Sequence, residues 1–346
     1  MQSYFDIISG RRRGVLAAAA RVGLGMLEVP YRLAVQKRNA AFDAGRGVHH
    51  APRPVVSVGN LTAGGTGKTP TVAWLARKLA EHGHRPAILM RGYKAKPGEK
   101  GDEQQLLESL LADVGVPVYA DADRVGLARR ATEERPDIDV FVLDDGFQHR
   151  RLGRCFDLVL IDRTQPFGHG HVLPRGLLRE PASGLSRASA VLITRGGSEA
   201  EVAAIRRQVV EETAAPLFQS EFNLFPRTPR GEAVDLAGVE CVVASGIGNP
   251  AAFEADVAAM GAKVVATRRF ADHHDFTAED ANELVKQADG RRVVVTGKDW
   301  TKLAAVWPAK APVVVAGQSL VVREEERLVA SILDAVRDPK LSLRHR

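Results

Sequence analysis

The chain has 346 residues, 45% of them apolar, which is enough for two domains with sizeable cores and too apolar for a disordered chain. Its two cysteines, Cys155 and Cys241, lie far apart without metal-ligand spacing, so a disulfide framework is excluded and they read as buried free thiols of a reducing compartment. The net charge of +6 is local: residues 1–54 hold nine Lys/Arg and three Asp/Glu, leaving the remainder neutral. That argues against a general nucleic-acid surface and for one anionic partner near the N-terminus, such as a membrane headgroup layer.

Residues 11–45 read as helical. The apolar stretch 15–27 is too short to span a bilayer, which takes ~20 apolar residues, and Arg21 interrupts it. Arg21, Glu28 and Arg32 fall on one helical stripe, with Leu16, Ala19, Met26, Leu27 and Leu33 away from it. Pro30 is expected to divide the segment into two helices. An interfacial amphipathic helix and a helix packed on the protein's own core are both open readings. Arg11-Arg12-Arg13-Gly14-Val15-Leu16 superficially resembles a twin-arginine export signal, but Arg21 breaks the apolar region too early for one.

The apolar run Val55-Val56-Ser57-Val58 leads into Thr62-Ala63-Gly64-Gly65-Thr66-Gly67-Lys68-Thr69. A helical pattern follows, with Val72, Leu75, Ala76 and Leu79 on one face. Strand, glycine-rich turn, Gly-Lys-Thr and helix form the arrangement that cradles a nucleotide's phosphates. Glycines let backbone N–H groups approach the anion, and the helix N-terminus adds its dipole. Lys68 is expected to reach the β/γ-phosphates and the Thr69 hydroxyl to hold Mg²⁺. The strict pattern begins with Gly, where this chain has Thr62. Pro70 suits a first helical turn.

Further runs, Ala87-Ile88-Leu89-Met90, Val140-Phe141-Val142-Leu143, Leu158-Val159-Leu160-Ile161 and Val191-Leu192-Ile193, alternate with helical stretches. Continuous apolar runs predict strands buried on both faces of a parallel sheet, with ligands at their carboxyl ends. Asp144 and Asp145 end one such strand, ahead of Gly146-Phe147-Gln148-His149, and suit Mg²⁺ opposite a phosphate loop. Gly101-Asp102-Glu103 reads as a polar loop. Asp272-His273-His274-Asp275 could be a metal site, an acid–base pair or a polar loop; zinc is disfavoured because no Cys or further His stands at helical spacing. Pro226, Pro229 and Gly231 mark a linker in 222–232. A second α/β unit follows: strands near 239–244, 263–266 and 292–295, and helices over 251–260 and 278–288. The chain thus divides into a basic amphipathic segment (1–50), a nucleotide-binding domain (51–228) and a smaller α/β domain (229–346).

From Val58 to Pro70 the phosphate loop closely resembles that of the tetraacyldisaccharide 4′-kinases, the lipid A kinases of Gram-negative bacteria. The resemblance continues through Arg91-Gly92-Tyr93, Gly101-Asp102-Glu103, Leu143-Asp144-Asp145-Gly146-Phe147-Gln148-His149, Pro166-Phe167-Gly168 and Leu178-Arg179-Glu180-Pro181. It then covers Gly246-Ile247-Gly248-Asn249-Pro250, Phe270-Ala271-Asp272-His273-His274, and Thr296 with Lys298-Asp299. It implies an α/β fold: a P-loop NTPase-like, mostly parallel sheet domain, a second smaller α/β domain across a hinge, and an N-terminal helix on the membrane. It implies transfer of the γ-phosphate of ATP to the 4′-hydroxyl of a tetraacylated glucosamine disaccharide 1-phosphate, giving lipid IV-A at the cytoplasmic face of the inner membrane. The motifs map the general base onto Asp102, its partner onto His273, and acidic metal or nucleotide-site residues onto Asp144, Asp145 and Glu180 beside Thr69. No obligate protein partner is implied.

Departures from the family pattern are Met90, Lys94, Gln104, Arg175, Leu177 and Gly297, none of which removes a proposed catalytic group. The rival class is a membrane-associated switch ATPase of the partition or cell-division type. Those carry a signature Lys ahead of the glycines, where this chain has Ala63.

Overall fold

The computed structural model describes residues 2–92, 100–272 and 274–338. In chain order the helices are α1 (Gln2–Ile8), α2 (Val15–Asp43), α3 (Lys68–Glu81), α4 (Asp102–Leu110), α5 (Arg124–Glu134), α6 (Glu199–Glu212), α7 (Pro250–Ala259), α8 (Ala278–Ala288), α9 (Gly297–Leu303) and α10 (Glu325–Arg337). The strands are β1 (Val55–Asn60), β2 (Pro86–Met90), β3 (Val118–Ala120), β4 (Val140–Asp144), β5 (Phe156–Asp162), β6 (Ala190–Thr194), β7 (Leu217–Arg227), β8 (Glu240–Ser245), β9 (Lys263–Arg269), β10 (Arg292–Thr296) and β11 (Val313–Val322).

The chain forms two compact units: Met1–Arg91 with Leu111–Glu221 and Val321–Arg346, and Gly92–Leu110 with Phe222–Leu320. These bounds differ from the expected ones: residues 1–50 belong to the first unit, the junction falls after Glu221, and two further segments change sides. Residues 100–110 sit in the second unit because α4 packs on α9 there, burying Leu107. Helix α10 sits in the first unit because its apolar face, Leu328, Val329, Ile332, Leu333 and Val336, lies against β1 and β5.

In the first unit the strand order is β3-β2-β4-β1-β5-β6-β7, with parallel pairing. Every residue of β1, β2, β4, β5 and β6 is buried, which is why these strands read as unbroken apolar runs. After β1 the chain winds out to β2 and β3, returns to β4 and crosses to β5. The C-terminal ends of β1 and β4 therefore flank the point where the winding direction reverses, where such sheets hold ligands. In the second unit the order is β11-β10-β8-β9, also parallel.

Two expectations fail locally. Pro30 does not divide the N-terminal segment: α2 runs through it from Val15 to Asp43. A proline removes one internal hydrogen bond, and here both halves of the helix are tied to the same unit. Glu28 accepts from Val172 N at 3.1 Å and meets His171 Nδ1 at 3.0 Å, Tyr31 Oη donates to Arg179 O at 2.9 Å, and Asn39 Nδ2 donates to Glu180 at 2.8 Å. The supposed linker at 222–232 is largely strand, since β7 continues to Arg227 with Pro226 inside it.

Helix α2 has two faces. Ala17 and Val35 are buried beside the anchoring residues just named. Val15, Val22, Met26, Val29 and Leu33 recur every third to fourth or seventh residue along the opposite face and stand in solvent, as does Leu16 at 88% exposure. Among the described residues no helix is long and apolar enough to cross a membrane.

Candidate active site

The phosphate-loop candidate leaves β1 through Asn60, a fully buried amide that ties the loop's two ends together. Its Nδ2 donates to Thr62 O at 2.7 Å and Thr62 Oγ1 at 3.2 Å, and its Oδ1 accepts from Lys68 Nζ at 3.2 Å. This explains Thr62 in place of the usual glycine: its side chain is buried and engaged. Residues 177–179 run against the base of the loop, with Ala63 N donating to Leu177 O and Arg179 N to Leu61 O, both at 2.7 Å. Gly67, at φ 86°, opens α3 in the left-handed region that glycine adopts without strain. Gly59 is required by close approach, since a Cβ there would stand 2.6 Å from Phe147 N.

Across the reversal point β4 delivers the two acids. Asp144 is the last residue of β4 and buried; Asp145 follows at φ 48°, a left-handed conformation that Asp tolerates better than most residues. Buried Arg124 on α5 holds this corner by donating to Asp144 O at 2.9 Å and Asp145 O at 3.3 Å. The Asp145 carboxylate faces Lys68 Nζ at 3.5 Å and Arg179 Nη1 at 2.8 Å. Burial alone raises a carboxyl's pKa, but Lys68, Arg179 and Arg124 outweigh it and hold Asp145 below the usual range. His149 goes the other way: burial and the nearby Arg124, Arg154 and Arg151 push it down to about 4, so it is a neutral ring at pH 7.

Thr69 sits in the first turn of α3, beyond Lys68. A threonine hydroxyl with two carboxylates is an oxygen-only donor set, the hard chemistry Mg²⁺ prefers when nucleotide phosphates complete its shell. Glu180 is different. It is completely buried, with Oε1 accepting from Gln148 Nε2 at 2.9 Å and Oε2 accepting from Asn39 Nδ2 and Arg187 Nη2, each at 2.8 Å. Sequence grouping placed it with Asp144 and Asp145; its surroundings are those of a carboxylate that organises other side chains.

Thr62 to Thr69, Asp144, Asp145 and Glu180 thus all lie in the first unit. Asp102 lies in the second, and it opens α4 rather than sitting in a polar loop, because Asp102 and Glu103 complement a helix N-terminus. Lys302 on α9 reaches Asp102 at 2.8 Å and Asp275 at 3.0 Å, and it donates to His274 O at 3.3 Å. Burial lowers the Lys302 pKa, but its bonds to Asp102 and Asp275 prevail and raise it overall. His273 lies outside the described residues, as do Tyr93 and Lys94. Its neighbours are fixed: Asp272 pairs with Lys298 at 3.0 Å, and His274 stacks on Phe270 at 4.8 Å while meeting Asp280 at 3.0 Å.

Other quoted motifs have local explanations. Asn249 caps α7 by accepting from Ala252 N, with Pro250 at its first position. Asp299 is buried, its pKa raised by that burial, and it ties Thr296 Oγ1 (2.6 Å) to Gly246 N (3.1 Å). Among the departures, Gln104 bonds Glu108 one turn on, Arg175 donates to Ile8 O, and a Cβ at Gly297 would meet nothing closer than 3.8 Å. Sequence reasoning gave no role to Asn60, Arg124, Arg179 or Lys302. Asn60 and Arg179 had a local signal, the first inside the stretch Val58 to Pro70 and the second beside Glu180.

Comparison with known proteins follows the same lines. The family model described as "LpxK: Tetraacyldisaccharide-1-P 4'-kinase" matches residues 20–337. A tetraacyldisaccharide 4'-kinase of Anaeromyxobacter sp. (strain K) is 38% identical over 362 residues, spanning 96% of this chain and 93% of that protein. One from Geobacter metallireducens is 38% identical over 304 residues, covering 82% and 88%. The crystal structure of LpxK from Aquifex aeolicus in complex with ATP superposes with a TM-score of 0.74 at 30% identity, covering 92% of this chain and 99% of that one. Matched along nearly its whole length by sequence and by structure, the chain belongs to the tetraacyldisaccharide-1-P 4'-kinase family.

Proposed function

We propose that this protein transfers the γ-phosphate of ATP to the 4′-hydroxyl of a tetraacylated glucosamine disaccharide 1-phosphate, giving lipid IV-A. The observation that carries this reading is a Gly-Lys-Thr loop at the reversal point of a parallel sheet, with Lys68 3.5 Å from Asp145, in a chain of this family. Backbone amides of residues 62–67 and Lys68 bind the phosphates, and Thr69, Asp144 and Asp145 would hold Mg²⁺. The ion, when bound, neutralises charge on the phosphate oxygens. Arg179 orients Asp145, and Glu180 positions Gln148, Arg187 and Asn39. Asp102 accepts the proton of the sugar hydroxyl, and His273 orients it. Labelled ATP incubated with the disaccharide 1-phosphate in detergent micelles should place the label in the lipid. Hydrolysis of ATP with no lipid labelled would favour the switch-ATPase class instead.

The acceptor's acyl chains keep it in a bilayer, and we assign the exposed apolar face of α2, flanked by Arg11, Arg12, Arg13, Arg32, Lys37 and Arg38, to an anionic membrane surface at the cytoplasmic face of the inner membrane. Met26 and Leu33 are 70% and 60% exposed, so charging them disturbs the packing little. Met26→Asp with Leu33→Asp should lower binding to phosphatidylglycerol vesicles by about 10²-fold or more, since each loses about 1.5–3 kcal/mol of apolar burial. Transfer to acceptor in detergent micelles should stay near wild type. Undiminished sedimentation with the vesicles would remove the helix from this role.

A further inference from the structure

The turn at the end of β6 touches the phosphate loop and has no part in the reading above. Thr194 is fully buried, and its Oγ1 donates to Thr66 O at 3.0 Å. Arg195 Nη2 donates to Gly65 O at 3.1 Å. Arg195 is itself braced: its Nε donates to Asp162 Oδ2 at 2.8 Å, a carboxylate only 10% exposed at the end of β5. The other Asp162 oxygen is committed to Thr164, accepting from its N at 2.8 Å and its Oγ1 at 2.6 Å. Arg195, Gly196 and Gly197 all have positive φ, at 73°, 55° and 126°. A Cβ at Gly196 would lie 2.8 Å from Glu221 Cγ, so glycine is required at that position. An arginine held in the left-handed region between packed partners marks a place the surroundings impose.

The consequence lies in peptide geometry. The C=O and N–H of a trans peptide unit point in opposite directions. Fixing Gly65 O toward β6 turns the Thr66 N–H away from β6, and fixing Thr66 O does the same for Gly67 N–H. Glycine-rich peptide units otherwise reorient at little cost, and this loop has glycines at 64, 65 and 67. Two adjacent carbonyls pinned by side chains remove that freedom before any anion arrives, which is preorganisation.

We propose that Thr194 and Arg195 are positioning residues for ATP, presetting the Thr66 and Gly67 N–H groups toward the polyphosphate. This rests on the reading that residues 62–69 bind the phosphates of ATP. The test uses the full chain, with Kd for ATP and for inorganic tripolyphosphate measured by calorimetry beside kcat and KM. Arg195→Ala should weaken ATP about tenfold, equivalent to about 1.4 kcal/mol, with kcat within about threefold of wild type, since the lost contact acts on binding. Thr194→Val, which keeps the shape and removes the donor, should act in the same direction, and Arg195→Lys, which keeps a charged donor, should recover most of the loss. Tripolyphosphate must weaken in parallel with ATP. Weaker ATP binding with tripolyphosphate unchanged would make Arg195 a nucleoside contact and overturn the proposal, as would an unchanged ATP Kd in both Arg195→Ala and Thr194→Val. Lys68→Ala separates the levels. Unchanged binding of both anions in that variant brings down the phosphate-loop reading itself. Weakened binding there, with none in Arg195→Ala, removes only this proposal.

Discussion

Lys68→Ala should lower kcat by about 10³-fold while weakening ATP only about tenfold, on the scale seen when a charge-stabilising donor is removed from a transferring phosphoryl group. The asymmetry follows from how the site is built. On the proposed reading ATP is gripped chiefly by backbone amides, and the loop that presents them keeps the Asn60 Nδ2 bonds to Thr62, the contacts of residues 177–179 and those of the β6 turn; only the Asn60 Oδ1 contact goes with the ammonium. What is lost is an ammonium group whose side chain is only 16% exposed, so its charge acts with little solvent screening. Asp145 keeps Arg179 at 2.8 Å and is not stranded, while buried Asn60 loses the donor to its Oδ1, so a loss of stability of no more than about 1–3 kcal/mol is expected. Lys68→Arg should not restore turnover, because a planar fork cannot take the place of a compact ammonium between Asn60 and Asp145. Single-turnover transfer measured at saturating ATP checks this; a kcat within tenfold of wild type would remove Lys68 from the chemistry.

The parts of this fold visible in the sequence are those where a short stretch carries its own explanation. β2, β4, β5 and β6 are unbroken apolar runs because both faces are covered, and α8 falls on the expected residues because a capping box, Thr277 with Asp280, starts it. Where a segment's fate depends on distant partners, the reading fails. Pro30 argued for a break in α2, but Glu28 and Tyr31 bind the same unit on either side of it. Gly101-Asp102-Glu103 has turn composition, yet those acids serve equally well in a first helical turn, and packing on α9 decides the matter. α10 shows a clear apolar face, but periodicity cannot say which sheet receives it.

The site divides the same way. Gly67-Lys68-Thr69 and Asp144-Asp145 are contiguous motifs at strand ends, so strand, loop and helix start are read together and the proposed chemistry rests on the same residues. Arg124 reaches Asp144 from 20 residues away, and Thr194 reaches Thr66 from 128. Such contacts depend on strand order, here β4-β1-β5-β6, which a single sequence does not state. Glu180 shows the converse limit. The family resemblance groups it with Asp144 and Asp145, but no single stretch of sequence shows that Gln148, Asn39 and Arg187 converge on its carboxylate.

Asp102→Asn should lower kcat by about 10²–10⁴-fold, the range for loss of a general base, with KM for ATP within about threefold. Asparagine keeps the shape and suits a helix start, so the first turn of α4 survives; an acid there contributes only about 0.3–1 kcal/mol through the helix dipole. Lys302 loses one carboxylate partner and keeps Asp275 at 3.0 Å, so it is not left alone in a buried position. On the proposed reading the substitution removes the proton acceptor while keeping the shape of the side chain. ATP affinity should hold because the residues assigned to its phosphates all belong to the other unit. Lys302→Met supplies the contrast: Asp102 keeps its carboxylate but loses the 2.8 Å contact that orients it, and turnover should fall by about tenfold, less than in Asp102→Asn, since proton transfer depends on geometry as well as on the presence of the base. Steady-state transfer to the disaccharide 1-phosphate in micelles, with melting temperatures alongside, decides between the roles. Near-wild-type turnover in Asp102→Asn, or a parallel loss of folding and activity, would return this carboxylate to the helix start it also occupies.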